Sequence, residues 1–205
     1  MHGKLENVFA AVERSRPNFI LSCGDWGEQG CVSEKEFQEL LNLSKIYTVF
    51  GNHDDIAMLS AAVNTDGTPV LMKSGTTYDF GTIRVGAING IWAKSHEKPC
   101  YVTGEEVSEY ARLLAAEHPD ILISHACAIG LADEVPGGRH AGQRSWLDAY
   151  KIISPRLYLC GHLHLAQKRV LKDERLIVNV GSTGDGDYWV FEVDEKTVRY
   201  EQHRL

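Results

Sequence analysis

An α/β fold is predicted for this chain of 205 residues by three observations. Four short apolar runs each empty into a polar loop, a stretch of helical spacing separates the first two runs, and the carboxyl-terminal part alternates like antiparallel strands. A strand, helix, strand order with a right-handed crossover makes the first two strands parallel neighbours, so the loops that follow them meet at one sheet edge.

Leu5 to Arg14 carries Leu5, Val8, Phe9 and Val12 at helical spacing, and Arg16-Pro17-Asn18 closes that helix. Phe19 to Cys23 is the first buried strand, running into Gly24-Asp25. Ser33, with Glu36 three residues on, caps a helix to about Leu43. Ile46 to Phe50 is the second strand and leads into Gly51-Asn52-His53-Asp54. Thr76 to Phe80 and Ile83 to Ala87 alternate around Gly81 as a hairpin. Thr103 and Glu106 cap a helix to about Glu117, after which Ile121 to Ser124 forms a third buried strand ending at His125. Gly137 to Gly142 is a glycine-rich loop, Ser145 to Ile153 a helix stopped by Pro155, and Leu157 to Cys160 a fourth strand that empties into Gly161-His162-Leu163-His164. The tail, through Val170, Leu176 to Asn179, Tyr188 to Val193 and Thr197 to Tyr200, reads as successive antiparallel strands.

Chain length fits one domain, residues 1–205, able to bury roughly 70% of its unfolded surface. With 21 basic and 28 acidic residues the formal net charge is -7, and the absence of a basic run argues against a broad grip on nucleic acid or an anionic membrane. No apolar stretch is long enough to span a bilayer, and the start has no leader pattern, so a cytoplasmic protein acting on small substrates, or on partners gripped locally, is the expectation. Five cysteines without a Cys-x-x-Cys pair indicate neither a disulfide framework nor a zinc ribbon.

The loop clusters supply Asp25, Asn52, His53, Asp54, His125, His162 and His164. A carboxylate, an amide oxygen and several imidazoles form a mixed oxygen and nitrogen set that suits manganese, iron or zinc. In Gly-His-Leu-His the two imidazoles share a side on extended backbone. The ordered series His2-Gly3, Gly24-Asp25, Gly51-Asn52-His53-Asp54, His125 and Gly161-His162-Leu163-His164 resembles the motifs of the calcineurin-like metallophosphoesterases, over nearly the whole chain. That resemblance implies two mixed β-sheets packed as a sandwich between helices, in four layers ordered αββα.

It further implies a pair of divalent cations, manganese first, with iron, zinc or nickel as alternatives. Asp25 bridges them, His2 and His164 complete the first site, and Asn52, His125 and His162 complete the second. His53 stands over the leaving-group oxygen as proton donor or charge stabiliser, with Asp54 orienting its imidazole. Two cations about 3.5–4 Å apart lower the pKa of a shared water and neutralise phosphoryl charge, so hydrolysis of a phosphomonoester or phosphodiester by an activated hydroxide follows. The family's first motif also has an Asp two residues before its histidine, preceded by an apolar strand. Here Met1 directly precedes His2, so the expectation is an amino-terminal truncation that removes the first strand and the first site's carboxylate. The competing readings are a catalytically impaired binding scaffold on the same fold, favoured by that missing Asp, and a nuclease, disfavoured by the acidic balance.

Overall fold

The computed structural model describes residues 2–205. Helix α1 (Leu5–Ser15) turns Leu5, Val8, Ala11 and Val12 inward and ends at Arg16 in a left-handed conformation. Strand β1 (Phe19–Ser22) is followed by α2 (Glu34–Leu43), where the Ser33 hydroxyl accepts from the Glu36 amide, and by β2 (Lys45–Thr48). Then come the short helix α3 (Ile56–Ala61), the hairpin of β3 (Thr77–Phe80) and β4 (Ile83–Ile88), and a small parallel pair, β5 (Ile91–Trp92) and β6 (Tyr101–Val102). Helix α4 (Gly104–Glu117) opens on a reciprocal cap in which Thr103 and Glu106 each bond the other's main chain. After β7 (Ile121–Ser124), β8 (Glu134–Val135) and β9 (Arg139–His140) form a two-residue-long hairpin ahead of α5 (Arg144–Ile153). The remaining strands are β10 (Leu157–Cys160), β11 (Gln167–Val170), β12 (Leu176–Asn179), β13 (Asp187–Val193) and β14 (Val198–Arg204).

Six strands form the central sheet in the order β11-β12-β10-β7-β4-β3. The inner four are parallel, and the two edges pair antiparallel. Strands β7, β10 and β12 are buried throughout, which is why their sequences read as unbroken apolar runs rather than alternating ones. Along β7, Leu122 faces one side and packs with Leu114, Trp146 and Tyr158 under α4 and α5. Its neighbours Ile121 and Ile123 face the other side, beside Leu157, Leu159 and Val178.

A second β layer covers that other face: β1 pairs β2 in parallel, β13 pairs β14 antiparallel, and Leu21, Tyr47, Trp189 and Phe191 pack onto the sheet. Behind β1 and β2 lie α1 and α2, joined through Leu5, Val8, Trp26, Phe37, Leu40 and Ile46. The layers therefore run helix, strand, strand, helix, with the second strand layer divided into two ribbons. One sequence expectation is corrected here. Leu176 to Asn179 is not part of an antiparallel series with Tyr188 to Val193, because its apolar run lies parallel to β10 in the central sheet. A turn of 3-10 helix at Thr183–Asp185 then carries the chain across to the other layer.

Asn64 is 2% exposed and stands in for a missing strand partner. Its Oδ1 accepts from the Ile46 amide at 2.8 Å and its Nδ2 donates to the Ile46 carbonyl at 3.0 Å. Replacing it by alanine leaves both buried main-chain groups unpaired, at roughly 1–3 kcal/mol each. Asn64→Ala is expected to lower the urea midpoint by an amount equivalent to about 3 kcal/mol with an unchanged m-value, measured by circular dichroism.

Candidate metal centre

Strands β1, β2, β7 and β10 each end where a polar loop begins, and the loops converge at one end of the two β layers. The β1 loop carries Asp25, the β2 loop Asn52, β7 ends at His125, and β10 at Gly161-His162. Asp25, 4% exposed, belongs to two donor groups at once. One is His2, Asp25 and His164; the other is Asp25, His125 and His162; within each group the donor atoms lie within 4.8 Å of one another.

In the first group, His2 Nε2 is 3.1 Å from His164 Nε2 and 3.8 Å from Asp25 Oδ2. In the second, His125 Nε2 lies 3.5 Å from Asp25 Oδ2, 3.2 Å from His162 Nδ1 and 3.2 Å from Asn52 Oδ1. Ring nitrogens this close converge on a common point. Three features make the set fit a divalent cation. His125 Nδ1 donates to the Cys23 carbonyl at 2.6 Å, which fixes the tautomer and presents the Nε2 lone pair inward. Burial lowers the pKa of His125, His162 and His2, favouring the neutral, ligating form. For Asp25, burial acts to raise the carboxyl, but His125, the His53 amide at 2.9 Å and His2 outweigh it and hold the group below its ordinary value.

The backbone is shaped for this convergence. His2, Asp25, His162 and His164 all sit at positive φ, a region that L-residues seldom occupy. Gly51 allows the closest approach, because a Cβ there would overlap the Asp25 carboxylate and the His125 ring.

His53 lies beside the first group, its ring centroid 5.2 Å from that of His2 and its side chain 44% exposed. Its orientation differs from the expectation. Asp54 does not reach the ring: its oxygens accept from the amides of Gly51 at 2.6 Å, Trp26 at 2.6 Å and Asp25 at 2.8 Å. The reason is geometric, since these amides point into the gap between two loops and a partly buried carboxylate satisfies all three. Burial pushes the Asp54 carboxyl up from its usual value, with the three amides opposing. Glu28 instead lies against His53, Oε1 to Nδ1 at 2.9 Å.

Glu28 has no motif spacing and was invisible in sequence. Asn89 was equally hidden, yet it accepts from the Phe50 amide at 2.8 Å and donates to the Met72 carbonyl at 2.8 Å, fixing the strand end just before Gly51. Trp26 is wholly buried, with Nε1 on the Thr48 hydroxyl at 2.9 Å, and is packing rather than cleft wall. His140 of the glycine-rich loop meets the buried Asp133 at 2.7 Å.

The sequence profile of the calcineurin-like phosphoesterases matches residues 1–166. The chain belongs to the calcineurin-like phosphoesterase family. Members of that family are generally metal-dependent phosphoester hydrolases that use a pair of divalent cations. The protein TT1561 of Thermus thermophilus has a similar fold, with a TM-score of 0.71 at 14% identity over 99% of this chain and 94% of that one. A dimetal phosphatase from Danio rerio aligns with a TM-score of 0.52 at 12% identity, over 87% of this chain and 77% of that one. GAP50, the anchor in the inner membrane complex of Plasmodium, gives 0.54 at 16% identity over 90% and 67%. No curated protein matches the chain by sequence. Within this family member, no helix among the described residues is long and apolar enough to cross a membrane.

The two carboxylates near His53 now have separable tasks. Asp54→Ala orphans three amides and is expected to cost about 3 kcal/mol or more in urea unfolding and to abolish divalent-cation binding measured by titration calorimetry. Glu28→Gln is expected to leave both stability and metal affinity within a factor of about two, because Glu28 is a surface group.

Proposed function

We propose that this phosphoesterase hydrolyses a small phosphomonoester or phosphodiester with two divalent cations, manganese foremost. One observation carries the reading: a single buried carboxylate, Asp25, is common to two groups of converging imidazoles. Asp25, His2 and His164 would hold one cation, and Asp25, Asn52, His125 and His162 the other. When bound, such a pair supplies Lewis acidity toward phosphoryl oxygens and an acidified water.

The chain's own residues do the rest. Asp25 and the imidazoles fix where the phosphoryl group sits, at the mouth that the exposed His2 and His53 share. Glu28 accepts a hydrogen bond from His53 Nδ1–H and so turns Nε2 toward the leaving-group oxygen; with both ring nitrogens protonated, Nε2 delivers its proton to that oxygen as the ester bond breaks, leaving a neutral imidazole. A net charge of -7 disfavours extended nucleic acid and leaves small phosphorylated molecules as the substrate class. The five free cysteines fit a reducing, cytoplasmic setting.

Binding should be unequal. The second group includes an amide oxygen and the fully buried His125, whereas the first depends on the exposed His2. That inequality is also what favours the scaffold alternative. Calorimetry with manganese is expected to show a tight and a weak event, with His125→Ala losing the tight one. In parallel, manganese-stimulated hydrolysis of p-nitrophenyl phosphate or its bis-ester is expected, slowed about 10²–10⁴-fold by His53→Ala with metal stoichiometry unchanged. Two cations bound per chain with neither ester turned over would favour the scaffold.

A further inference from the structure

The β8–β9 hairpin lies in the chain between β7 and α5, and it is tied to the loops that follow both β7 and β10. The Gln143 amide donates to the Cys127 carbonyl at 2.7 Å and the Ile129 amide to the Gln143 carbonyl at 3.1 Å, a short step past His125. At Gly142 a Cβ would meet the Ala128 main chain at 2.7 Å, so the returning limb lies directly on that segment. On the other side Gln167, just past His164, brackets Glu134: its Oε1 accepts from the Glu134 amide at 3.1 Å, and its Nε2 donates to the Glu134 carbonyl at 2.8 Å. The hairpin is thereby held on the rim of the metal centre.

At its base Asp133 is 0% exposed. Its Oδ2 accepts from the Gly142 amide at 2.8 Å, and its Oδ1 accepts from the Gly130 amide at 2.9 Å and from His140 Nδ1 at 2.7 Å. Each oxygen already has a main-chain donor, so satisfying this carboxylate does not require the ring. With Asp133 as acceptor, Nδ1 carries the hydrogen and Nε2 is left with a lone pair, the same tautomer that the Cys23 carbonyl selects in His125. The His140 side chain is 45% exposed, and no partner of its Nε2 lies among the described residues.

We propose that His140 recognises the alcohol part of the substrate: its Nε2 accepts a hydrogen bond from a hydroxyl, so that the esters preferred are those of polyhydroxylated alcohols, the sugar phosphates. The assignment rests on the hydrolase reading only in seating a phosphoryl group at the metal centre. A group on the rim meets what the phosphoryl group is attached to. A second anionic group is the poorer fit, because the free nitrogen offers a lone pair and not a hydrogen. Asp133 acts through the ring as a positioning residue: its bond to Nδ1 holds the imidazole in one orientation before a ligand arrives, so little side-chain freedom is lost when the hydroxyl bonds.

Glucose 6-phosphate and cyclohexylmethyl phosphate test this, since both carry a six-membered ring on a phosphorylated methylene and only the first has hydroxyls. Affinity is measured by calorimetry on the manganese-bound protein at low temperature, and turnover is followed separately by phosphate release. His140→Asn, whose side-chain amide can still donate to Asp133, is expected to bind glucose 6-phosphate about tenfold more weakly, to bind cyclohexylmethyl phosphate within a factor of about two of the unaltered chain, and to keep its urea midpoint. His140→Gln, which returns an acceptor near the place of Nε2, is expected to recover part of that loss. A purely structural role for the ring would weaken both esters together or neither, and either result would overturn the inference, as would an unaltered chain that does not bind glucose 6-phosphate. Should the sugar ester bind with the stated dependence on His140 but release no phosphate, the hydrolase reading fails and the role of His140 stands. Phosphate released from both esters with no dependence on His140 removes this role and leaves the hydrolase reading intact.

Discussion

The Asp54 carboxylate is the contact on which the site's geometry rests. Three amides, from Gly51 in one loop and from Asp25 and Trp26 in another, converge on its two oxygens. A neutral acceptor has too few lone pairs in that position to serve all three with good geometry. Once the two loops are tied, the His53 amide can donate to Asp25 Oδ1, and the carboxylate shared by both donor groups is aimed between them. Asp54 thus acts through main chain, one step behind the residues that face the ligand space.

Local strain is concentrated at the same place. Four residues of the donor groups hold left-handed backbone, each at about 1–3 kcal/mol. Such conformations persist only where the surroundings over-determine them. Buried strands on one side of each turn and paired amides on the other provide that, as in the Gly161 amide on the His125 carbonyl at 3.0 Å, which links the ends of β7 and β10. The sheet edge is therefore stiff, and the imidazoles inherit their positions from it.

Much of this was legible in sequence. Apolar runs ending at Asp25, Asn52, His125 and His162 marked four parallel strand ends, because a strand buried on both faces has no polar alternation to disguise it. Ser33 with Glu36 and Thr103 with Glu106 announced two helix starts, since capping is local in the chain. What escaped was whatever depends on distant partners. Glu28 is one surface carboxylate among many until its loop folds against His53, and Asn89 is a turn residue until Phe50 offers its amide. The place of Asp54 is hidden for the same reason, as its adjacency to His53 in sequence says nothing of the three amides that claim it. The layer assignment of Leu176 to Asn179 also required the fold, because an apolar run does not state which neighbour it will pair with.

Division of the second β layer into two ribbons bears on the donor groups unequally. His125 and His162 follow β7 and β10, strands paired on both sides within the central sheet, and His125 is 1% exposed. Asp25 follows β1, which among the described residues is paired on one side only, and His2 reaches the site through main-chain bonds to the Asp25 turn. Rigidity in a sheet comes from pairing at both edges, so the second group stands on the completed layer and the first on the divided one. Because Asp25 is common to both, any looseness of β1 is passed to each, and the first group leans on that turn and the His164 loop for its geometry. The physical asymmetry between the two groups is thus a property of sheet pairing as well as of the donor atoms, since each has an imidazole pair and the shared carboxylate but only the second adds the Asn52 amide oxygen.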